Sequence, residues 1–309
     1  MTSSNTVDLM ISALETAGFN GRVISIECLG TVKGEIQNNY SKGILNNIFY
    51  HERLSHFQYV IPTSLINIHS IIITSAPQPQ KRVKFKYRGK HFNLIVPPTY
   101  SYETDQEIEK IILGIIKNQG FRLYPITLPL KLLAVRSGLV NYGKNNITYV
   151  DKIGSFHRLQ AFYSDIPVGN YKWGDYTLLE NCNNCNACLK ACPTGAISSD
   201  RFIIEAEKCI TFHNERLNSF PEWIKDSWHN CLIGCMTCQL VCPANKRVKN
   251  WIEDSVGFNE RETSLILKGG RGHLPDATTE KLQKLDLLED FNLIPRNLQV
   301  LLTNYLGEA

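Results

Sequence analysis

The sequence predicts an α+β fold in three consecutive segments: a mixed helix-and-strand segment at 1–175, a cysteine-rich module at 176–250 and a helical segment at 251–309. Three observations predict it. Apolar residues recur at every third or fourth position in some stretches, and they alternate with polar residues in others. Nine of the ten cysteines lie between Cys182 and Cys242. With 309 residues, 43% of them hydrophobic, the chain can bury one large core or two ordinary ones, so a disordered protein is excluded.

Two stretches of the first segment have helical periodicity. Residues 6–19 carry apolar side chains three and four positions apart, with Gly18 at the C-terminal stop. Residues 104–119 carry a stripe of isoleucines and end at Gly120, and Thr104 and Glu107 have the spacing of a capping box. The stretch LPLKLLAVRSG predicts a shorter helix.

Strands are predicted where β-branched residues concentrate or alternate with polar ones. These are RVISIECL, residues 67–74, ITYV and FHRLQAFY. A hairpin is predicted in KRVKFKYRGKHFNLIVPP, with Val83, Phe85 and Tyr87 on one face, basic residues on the other and a turn at 88–90. Six Lys or Arg residues in the ten positions 81–90 are typical of a solvated face, or of a surface that contacts phosphates.

Two stretches near the C-terminus also predict helices. TTEKLQKLDLLEDF and IPRNLQVLLTNYL have helical spacing.

The N-terminal residues predict a reducing compartment. They have neither a basic region nor an unbroken apolar run, so we expect a cytoplasmic protein. No apolar stretch approaches 18 residues, so we expect no membrane span. A formal charge of +4 permits contact with a polyanion without requiring it.

The first cysteine run has the spacing of a bacterial ferredoxin. It reads NCNNCNACLKACP, which places Cys182, Cys185, Cys188 and Cys192 in the pattern C-x2-C-x2-C-x3-C-P. In that pattern a tight loop presents three thiolates to one four-iron cluster, and the fourth thiolate binds the other cluster. Zinc, with four tetrahedral thiolates, and a chance group of buried thiols are the alternatives.

The second run supplies the ligands that the first one lacks. It reads NCLIGCMTCQLVCPAN and contains Cys231, Cys235, Cys238 and Cys242. Two four-iron clusters need eight thiolates and the region offers nine. Because Cys231 breaks the spacing, we predict that Cys209 is a ligand and Cys231 is spare. Crossed ligation then predicts one cluster bound by Cys182, Cys185, Cys188 and Cys242, and a second bound by Cys192, Cys209, Cys235 and Cys238. Cys28 is predicted to be an ordinary buried thiol.

The chain resembles the epoxyqueuosine reductase family, cobalamin-dependent iron–sulfur enzymes related to reductive dehalogenases. The resemblance is carried in order by LAVRSGLVNYGKNNITYV, GSFHRLQAFYSDIPV, the first cysteine run, EKCITF and GCMTCQLVCPANK, which together cover about residues 125–247. The family's cluster ligands fall on the eight cysteines chosen by counting, and the family has no counterpart of Cys231.

The resemblance implies a nitroreductase-like α/β domain that holds cobalamin in its base-off form, followed by a ferredoxin-like module with two 4Fe–4S clusters. It implies an oxidoreductase in which an external ferredoxin- or flavodoxin-type donor sends electrons through the clusters to cobalt, to reduce an epoxide or a related substrate. The residues that match the cobalamin-lining motif are Arg136, Ser137, Gly138, Lys144, Asn145 and Ser155. From spacing alone, the same stretch is also typical of an ordinary helix end and loop.

The chain departs from the family in two places. The family carries Arg-Asp-Tyr-His before its long helix, and the Asp is taken as the proton donor. Here the stretch reads LIVPPTYSYETD and has no acidic residue at that point, so Tyr100 is our candidate acid, as reductive dehalogenases use a tyrosine. The longer relatives also add C-terminal helical repeats that help to hold tRNA. Both tRNA and a small molecule therefore remain open as substrates, and so does a corrinoid-binding electron-transfer protein without a substrate.

Overall fold

A computed structural model describes residues 3–307 and, for the side chains, residues 5–307. The chain divides into two compact units that interleave along the sequence. The first unit comprises the residues up to Pro77 together with Thr104–Cys185, and the second comprises Gln78–Glu103 and the residues from Asn186 onward. These units follow contacts in space. The division into segments 1–175, 176–250 and 251–309 stays a prediction.

The elements up to residue 164 are α1 Ser3–Thr16, β1 Asn20–Ser25, α2 Cys28–Ser41, α3 Asn47–Phe49, β2 Ser70–Pro77, β3 Gln80–Tyr87, β4 Lys90–Val96, α4 Tyr102–Ile116, β5 Leu123–Pro125, α5 Leu130–Arg136, β6 Asn141–Tyr142, β7 Thr148–Tyr149 and β8 His157–Ser164. The later ones are α6 Ala187–Ala191, α7 Ile210–Asn214, α8 Thr237–Leu240, β9 Ile252–Phe258, α9 Glu260–Lys268, α10 Asp276–Lys284 and α11 Ile294–Leu306.

The first unit is built on an antiparallel sheet with the strand order β1-β2-β8-β5. Its central strand β2, SIIITSAP, is buried along almost its whole length, because helices cover the sheet on both faces. One face, which we call the α4 face, carries Ile72, Ala76 and Phe162 and packs against apolar residues of α1 and α4. Gly21 lies on this face, where a Cβ atom would come within 2.8 Å of Leu14 Cδ1.

The opposite face of the same sheet, which we call the α5 face, packs against α5 through β2 and β8. Because side chains alternate along a strand and paired residues share a face, Ser75, Leu159 and His157 lie here. The loop after α5 turns at Gly138, whose φ of +68° favours glycine, and then forms the small β6-β7 ribbon.

The second unit contains a three-stranded sheet with the order β4-β3-β9. β3 and β4 form the predicted hairpin, and β9 pairs with β3 in parallel. The buried faces of the hairpin, including Val83 and Phe85, share one core with Leu232 and Ile233 of the second cysteine run and with α9, α10 and α11. The C-terminal residues therefore complete the core of this unit.

Several expectations need correction. The long helix begins at Tyr102, so Thr104 lies inside its first turn and the predicted capping box at Thr104 is wrong. The residues ECL do not continue the strand RVISIECL, because α2 begins at Cys28. The first strand pair of the C-terminal segment, β9 with β3, was not predicted at all. The predicted helix at 6–19 is observed as Ser3–Thr16, and Gly120 ends the α4 region with a φ of +81°.

Among residues 3–307, no helix combines the length and the apolar character that crossing a bilayer requires. All ten cysteines lie in the described part of the chain and all are free thiols.

Candidate functional site

The two cysteine runs fold into the same local structure. In each, a loop carrying cysteines leads into a short helix, α6 or α8, and the last cysteine is followed by a proline. Cys192 has φ −68° and ψ 111°, and Cys242 has φ −69° and ψ 124°. A following proline disfavours the helical conformation at the preceding cysteine, so the chain is extended at Cys192 and Cys242 and the short helix does not continue. α6 and α8 pack against each other within the second unit.

Cys209 joins the second unit's cysteines from a separate segment. It stands at the N-terminal end of α7, with an extended backbone. Burial, together with the charges of Cys235 and Cys192, raises the pKa of its thiol to about 11, although hydrogen bonds with Thr211 act in the opposite direction. Cys209, Cys235 and Cys192 are thus close enough to interact. A thiol such as that of Cys209, whose surroundings disfavour negative charge, fits a cationic metal centre that stabilises its thiolate form.

Polar donors surround the sulfur atoms of this group. The Asn230 amide donates to Cys235 Sγ at 3.3 Å and to Thr237 Oγ1 at 2.8 Å, and its oxygen accepts the Met236 N–H at 2.9 Å. The Thr194 hydroxyl lies 3.4 Å from Cys192 Sγ. Hydrogen bonds to sulfur are one of the means by which a protein sets a cluster's reduction potential. The sequence gives no signal for Asn230 in this role.

Cys231 has different surroundings. Its thiol donates to Asn230 Oδ1 at 3.1 Å, and the residue is 1% exposed. Burial raises its pKa well above the usual value. Its neighbour Leu232 is fixed in the core, with its backbone N–H donating to Ile95 O at 2.8 Å.

Within the described residues, no three His, Cys, Asp or Glu side chains gather as they would around a single metal ion. A four-iron cluster is bound by one thiolate at each iron, so its ligands need not meet at one point.

The first three residues that match the cobalamin motif, Arg136, Ser137 and Gly138, lie at the end of α5 and in the turn that follows it. Arg136 forms ion pairs with Glu35 at 2.5 Å and Asp175 at 3.2 Å. Burial lowers the pKa of the guanidinium, but its hydrogen bond to Glu35 and both carboxylate charges outweigh burial, so that the net shift is upward. Ser137 is fully buried and donates to Ala134 O at 3.0 Å. A Cβ atom at Gly138 would come within 2.7 Å of the Lys172 side chain.

The loop of the β6-β7 ribbon and the segment before β8 hold the other motif residues. Lys144 Nζ donates to Cys185 O at 3.3 Å, which links this loop to the first cysteine run. Asn145 is buried and donates to Tyr149 Oη at 2.9 Å. Ser155 is also buried. The Lys144 contact thus joins this loop to Cys185 within the first unit.

Two buried polar atoms beside this loop have no hydrogen-bond partner among the described residues. They are Ser75 Oγ and His157 Nδ1, both on the α5 face. A ligand that carries amide groups, as a corrin ring does, can satisfy such atoms, so the residues present fit that class of cofactor.

Tyr100 lies in the second unit, in the loop between β4 and α4. Its hydroxyl donates to Glu215 Oε1 at 2.5 Å, and its ring packs against the core of that unit. A Cβ atom at Gly234, directly before Cys235, would lie 4.0 Å from the ring. Glu215, which follows α7, was missed because it is 115 residues away in sequence.

Comparison with known proteins agrees with the geometry of the cysteine runs. The family described as "4Fe-4S double cluster binding domain" matches residues 181–245. An epoxyqueuosine reductase of Francisella cf. novicida (strain Fx1) is 27% identical over 228 residues, which are 67% of this chain and 62% of that relative. In sequence, the chain is similar to this epoxyqueuosine reductase over about two thirds of its length. It spans less than two thirds of the length of the curated relative.

Solved epoxyqueuosine reductases share the fold. One, in complex with an epoxyqueuosine-modified tRNA stem loop, superposes with a TM-score of 0.70 at 19% identity, covering 98% of this chain and 82% of that one. The enzyme from Streptococcus thermophilus gives a TM-score of 0.67 at 18% identity, covering 96% and 80%. The predicted α+β class, with a two-cluster module and C-terminal helices, is confirmed.

Proposed function

We propose that this protein is an iron–sulfur and cobalamin-dependent oxidoreductase of the epoxyqueuosine reductase type. The double-cluster domain at residues 181–245 is the observation that carries the proposal. Eight cysteines in two runs and one separate position supply the thiolates for two 4Fe–4S clusters, in the crossed arrangement predicted from the spacing. Clusters so bound supply single electrons, and cobalamin supplies a strongly reducing metal centre when bound.

The residues around the motif loop bind and orient the cofactor in this proposal. Gly138 lets the backbone approach a bulky ring closely, Asn145 and Ser155 present buried polar groups, and Arg136 is held in place by Glu35 and Asp175. Lys144 ties the loop to Cys185 O. Such buried, mutually bonded side chains are pre-organised and exclude water from the reducing centre.

Tyr100 is the proposed proton donor. Its hydroxyl already donates to the Glu215 carboxylate, so the carboxylate orients the hydroxyl. After Tyr100 has given its proton to the substrate, Glu215 can take up a proton from solvent and pass it to the phenolate oxygen. A carboxylate thus lies beside the candidate acid, although the sequence has no acidic residue at the position of the family's aspartate. Glu215 acts through Tyr100 and is a positioning residue.

The substrate is either an epoxide-bearing nucleoside in tRNA or a small molecule. The complex of a related reductase with a tRNA stem loop favours tRNA. Charge pairing on the basic hairpin favours the small molecule, since Asp254 forms ion pairs with Arg82 at 3.0 Å and Lys84 at 3.2 Å and so reduces the charge that could meet phosphates. A reductive-dehalogenase-like reaction on a small molecule is therefore the second candidate.

The proposed electron donor is an external acidic carrier of the ferredoxin or flavodoxin type in the cytoplasm. Around Cys242 the second unit exposes two apolar side chains, Leu240 and Val241, beside Lys246, Arg247 and Lys249. An apolar centre with cationic neighbours fits an acidic partner, whose approach such charges accelerate.

Anaerobic reconstitution with iron, sulfide and cobalamin tests the proposal. We expect about eight irons per chain and a base-off Co(II) signal by electron paramagnetic resonance. Eight irons without bound corrinoid would reduce the protein to a ferredoxin module and overturn the cobalamin part. Turnover of an epoxide or halide substrate then separates a reductase from a corrinoid-binding electron-transfer protein.

A further inference from the structure

His157 is a buried imidazole whose protonation is fixed by its contacts. It is 7% exposed, and its Nε2 lies 3.0 Å from the carbonyl oxygen of Thr148. The Thr148 hydroxyl also lies 3.2 Å from Nε2. The carbonyl oxygen only accepts, whereas the hydroxyl can accept or donate, so a proton on Nε2 satisfies both contacts and we assign it there. Burial lowers the pKa of His157 to about 4, with a further decrease from Lys131, so the ring is neutral near pH 7. In that tautomer Nδ1 is a bare acceptor.

No group in the described chain uses this acceptor. His157 Nδ1 has no hydrogen-bond partner among residues 3–307, and the same is true of the hydroxyl of Ser75, which is fully buried. A buried polar atom without a partner costs about 1–3 kcal/mol. Native structures contain few of them, and each calls for an explanation such as a bound ligand or an ordered water.

The two atoms lie near each other on one face of one sheet. Ser75 pairs with Leu159, and His157 is two residues from Leu159 on β8, so Ser75 and His157 are diagonal neighbours on the α5 face. Side chains in this relation lie about 7–8 Å apart at Cα and are within reach of one bound group. Asn145, in the loop of the β6-β7 ribbon, and Ser155, in the segment before β8, are near in sequence, and Thr148 of β7 is hydrogen-bonded to His157.

We propose that Ser75 and His157 form a binding site for an uncharged primary carboxamide, in which the amide N–H donates to His157 Nδ1 and the Ser75 hydroxyl donates to the amide oxygen. His157 Nδ1 can accept a hydrogen bond and the Ser75 hydroxyl can donate one. The pair is therefore complementary to a primary amide, which offers an N–H donor and a carbonyl acceptor. A carboxylate cannot donate to Nδ1, and an ammonium cannot accept from Ser75. The inference rests on the proposed function, since the carboxamide is identified as a peripheral side chain of the corrin ring.

Two substitutions remove the site while sparing the fold. His157→Gln places an amide nitrogen where Nε2 was, so that it still donates to Thr148 O, but it has no counterpart of Nδ1. Ser75→Ala removes the hydroxyl. Ser70→Ala is the matched control on the same strand, because the Ser70 hydroxyl is buried and donates to Ser164 O at 3.3 Å.

Binding and stability should change in opposite directions. We expect Ser75→Ala to raise the Tm of the cobalamin-free protein by about 2 °C, because an unsatisfied hydroxyl is removed. We expect Ser75→Ala and His157→Gln each to weaken cobalamin binding about 3- to 10-fold, measured by equilibrium dialysis of the cluster-loaded protein. Ser70→Ala should lower the Tm and leave cobalamin binding unchanged. A merely structural role for Ser75 would lower the Tm and leave binding unchanged.

Cobalamin derivatives identify the group that is bound. In each derivative one peripheral carboxamide is hydrolysed to a carboxylate. We expect one such isomer to bind the wild-type protein about 10-fold more weakly than cobalamin does, and His157→Gln to abolish that difference. Equal losses for all isomers in the wild type and in the variants would overturn the amide site and leave the proposed function intact. Failure of the wild-type protein to bind cobalamin would overturn both.

Discussion

Cys209 and Cys231 differ in what lies around their thiols, and that difference can be tested by counting irons. Cys209 interacts with both Cys235 and Cys192, whereas Cys231 interacts with Cys235 alone and its thiol donates to Asn230. We expect Cys231→Ser to retain about eight irons per chain after reconstitution and Cys209→Ser to retain about four. Iron and sulfide analysis, with electron paramagnetic resonance of the reduced protein, checks both. Four irons in Cys231→Ser together with eight in Cys209→Ser would exchange the two roles.

The proposed proton transfer rests on the short hydrogen bond between the Tyr100 hydroxyl and the Glu215 carboxylate. Tyr100→Phe should reduce turnover at least 100-fold, the scale of general acid catalysis, while cobalamin and iron contents stay the same. Glu215→Gln should retain partial activity and shift the pH profile of turnover, because the amide still accepts the hydroxyl but no longer takes up a proton. Tyr102→Phe, at an exposed tyrosine two residues further on, is the control and should behave as the wild type. An unaffected rate in Tyr100→Phe would exclude it as the acid.

The buried imidazole of His157 also predicts how stability depends on pH. Burial holds its pKa at about 4 in the folded protein, below the ordinary 6.5 that the unfolded chain has. The unfolded state therefore binds more protons, so the contribution of His157 is complete above pH 6.5 and is lost as the pH falls from 6.5 through 4. Between pH 6 and pH 5 we expect the free energy of unfolding of the wild type to fall more steeply than that of His157→Gln, by up to about 1.4 kcal/mol per pH unit. Urea unfolding at several pH values measures both slopes, and parallel slopes would contradict the neutral assignment.

At the scale of elements, α9 shows how local hydrogen bonds fix a helix start. The Glu262 backbone N–H donates to Asn259 Oδ1 at 3.0 Å, and the Asn259 backbone N–H donates to Glu262 Oε2 at 2.8 Å, which completes a capping box. We expect Asn259→Ala to lower the free energy of unfolding by about 1 kcal/mol, because both contacts depend on the cap. Asn259→Ser keeps an N-cap acceptor and should cost only a few tenths of that. Urea unfolding of the two variants in parallel checks the order.

Which elements the sequence could predict depends on whether their signal is local. The alternation in β3 and β4 and the isoleucine stripe of α4 are local patterns, and these elements occur where they were predicted. α2 was missed because Gly30 and Gly34 lower its helix propensity and it has few apolar residues. β9 was missed because its partner β3 lies about 170 residues earlier, and pairing at that distance leaves no periodic signal of its own.

The candidate site likewise has a part with a local sequence signal and a part without one. The spacing of the cysteines is a local signal, and it predicted the double-cluster domain that the family comparison matches. The contact between Tyr100 and Glu215, and the shared face of Ser75 and His157, arise only when distant segments meet in the fold. Sequence spacing contains no information about such contacts.

At the scale of the whole molecule, the C-terminal segment matters because it supplies most of one core. The apolar core of the second unit joins the β3-β4 hairpin, the second cysteine run and twelve buried residues after residue 250. Each buried side chain of this type contributes about 1.5–3 kcal/mol, so that their sum exceeds the net stability of an ordinary domain. A chain that ends at residue 250 should therefore fail to fold its second unit.

Leu301 and Tyr305 test this role within one intact helix. Both lie in α11, but Leu301 is 3% exposed and belongs to the core, whereas Tyr305 is 62% exposed. We expect Leu301→Ala to destabilise the protein by about 2–5 kcal/mol through lost burial and a residual cavity, and Tyr305→Ala to change stability by less than about 1 kcal/mol. Because Leu232 and Ile233 share this core and directly precede the cysteines from Cys235 onward, Leu301→Ala should also lose iron faster than the wild type at the same temperature. Following cluster absorbance during mild heating measures that rate. Loss of stability with an unchanged rate of iron loss would show that the C-terminal core and the clusters are not coupled.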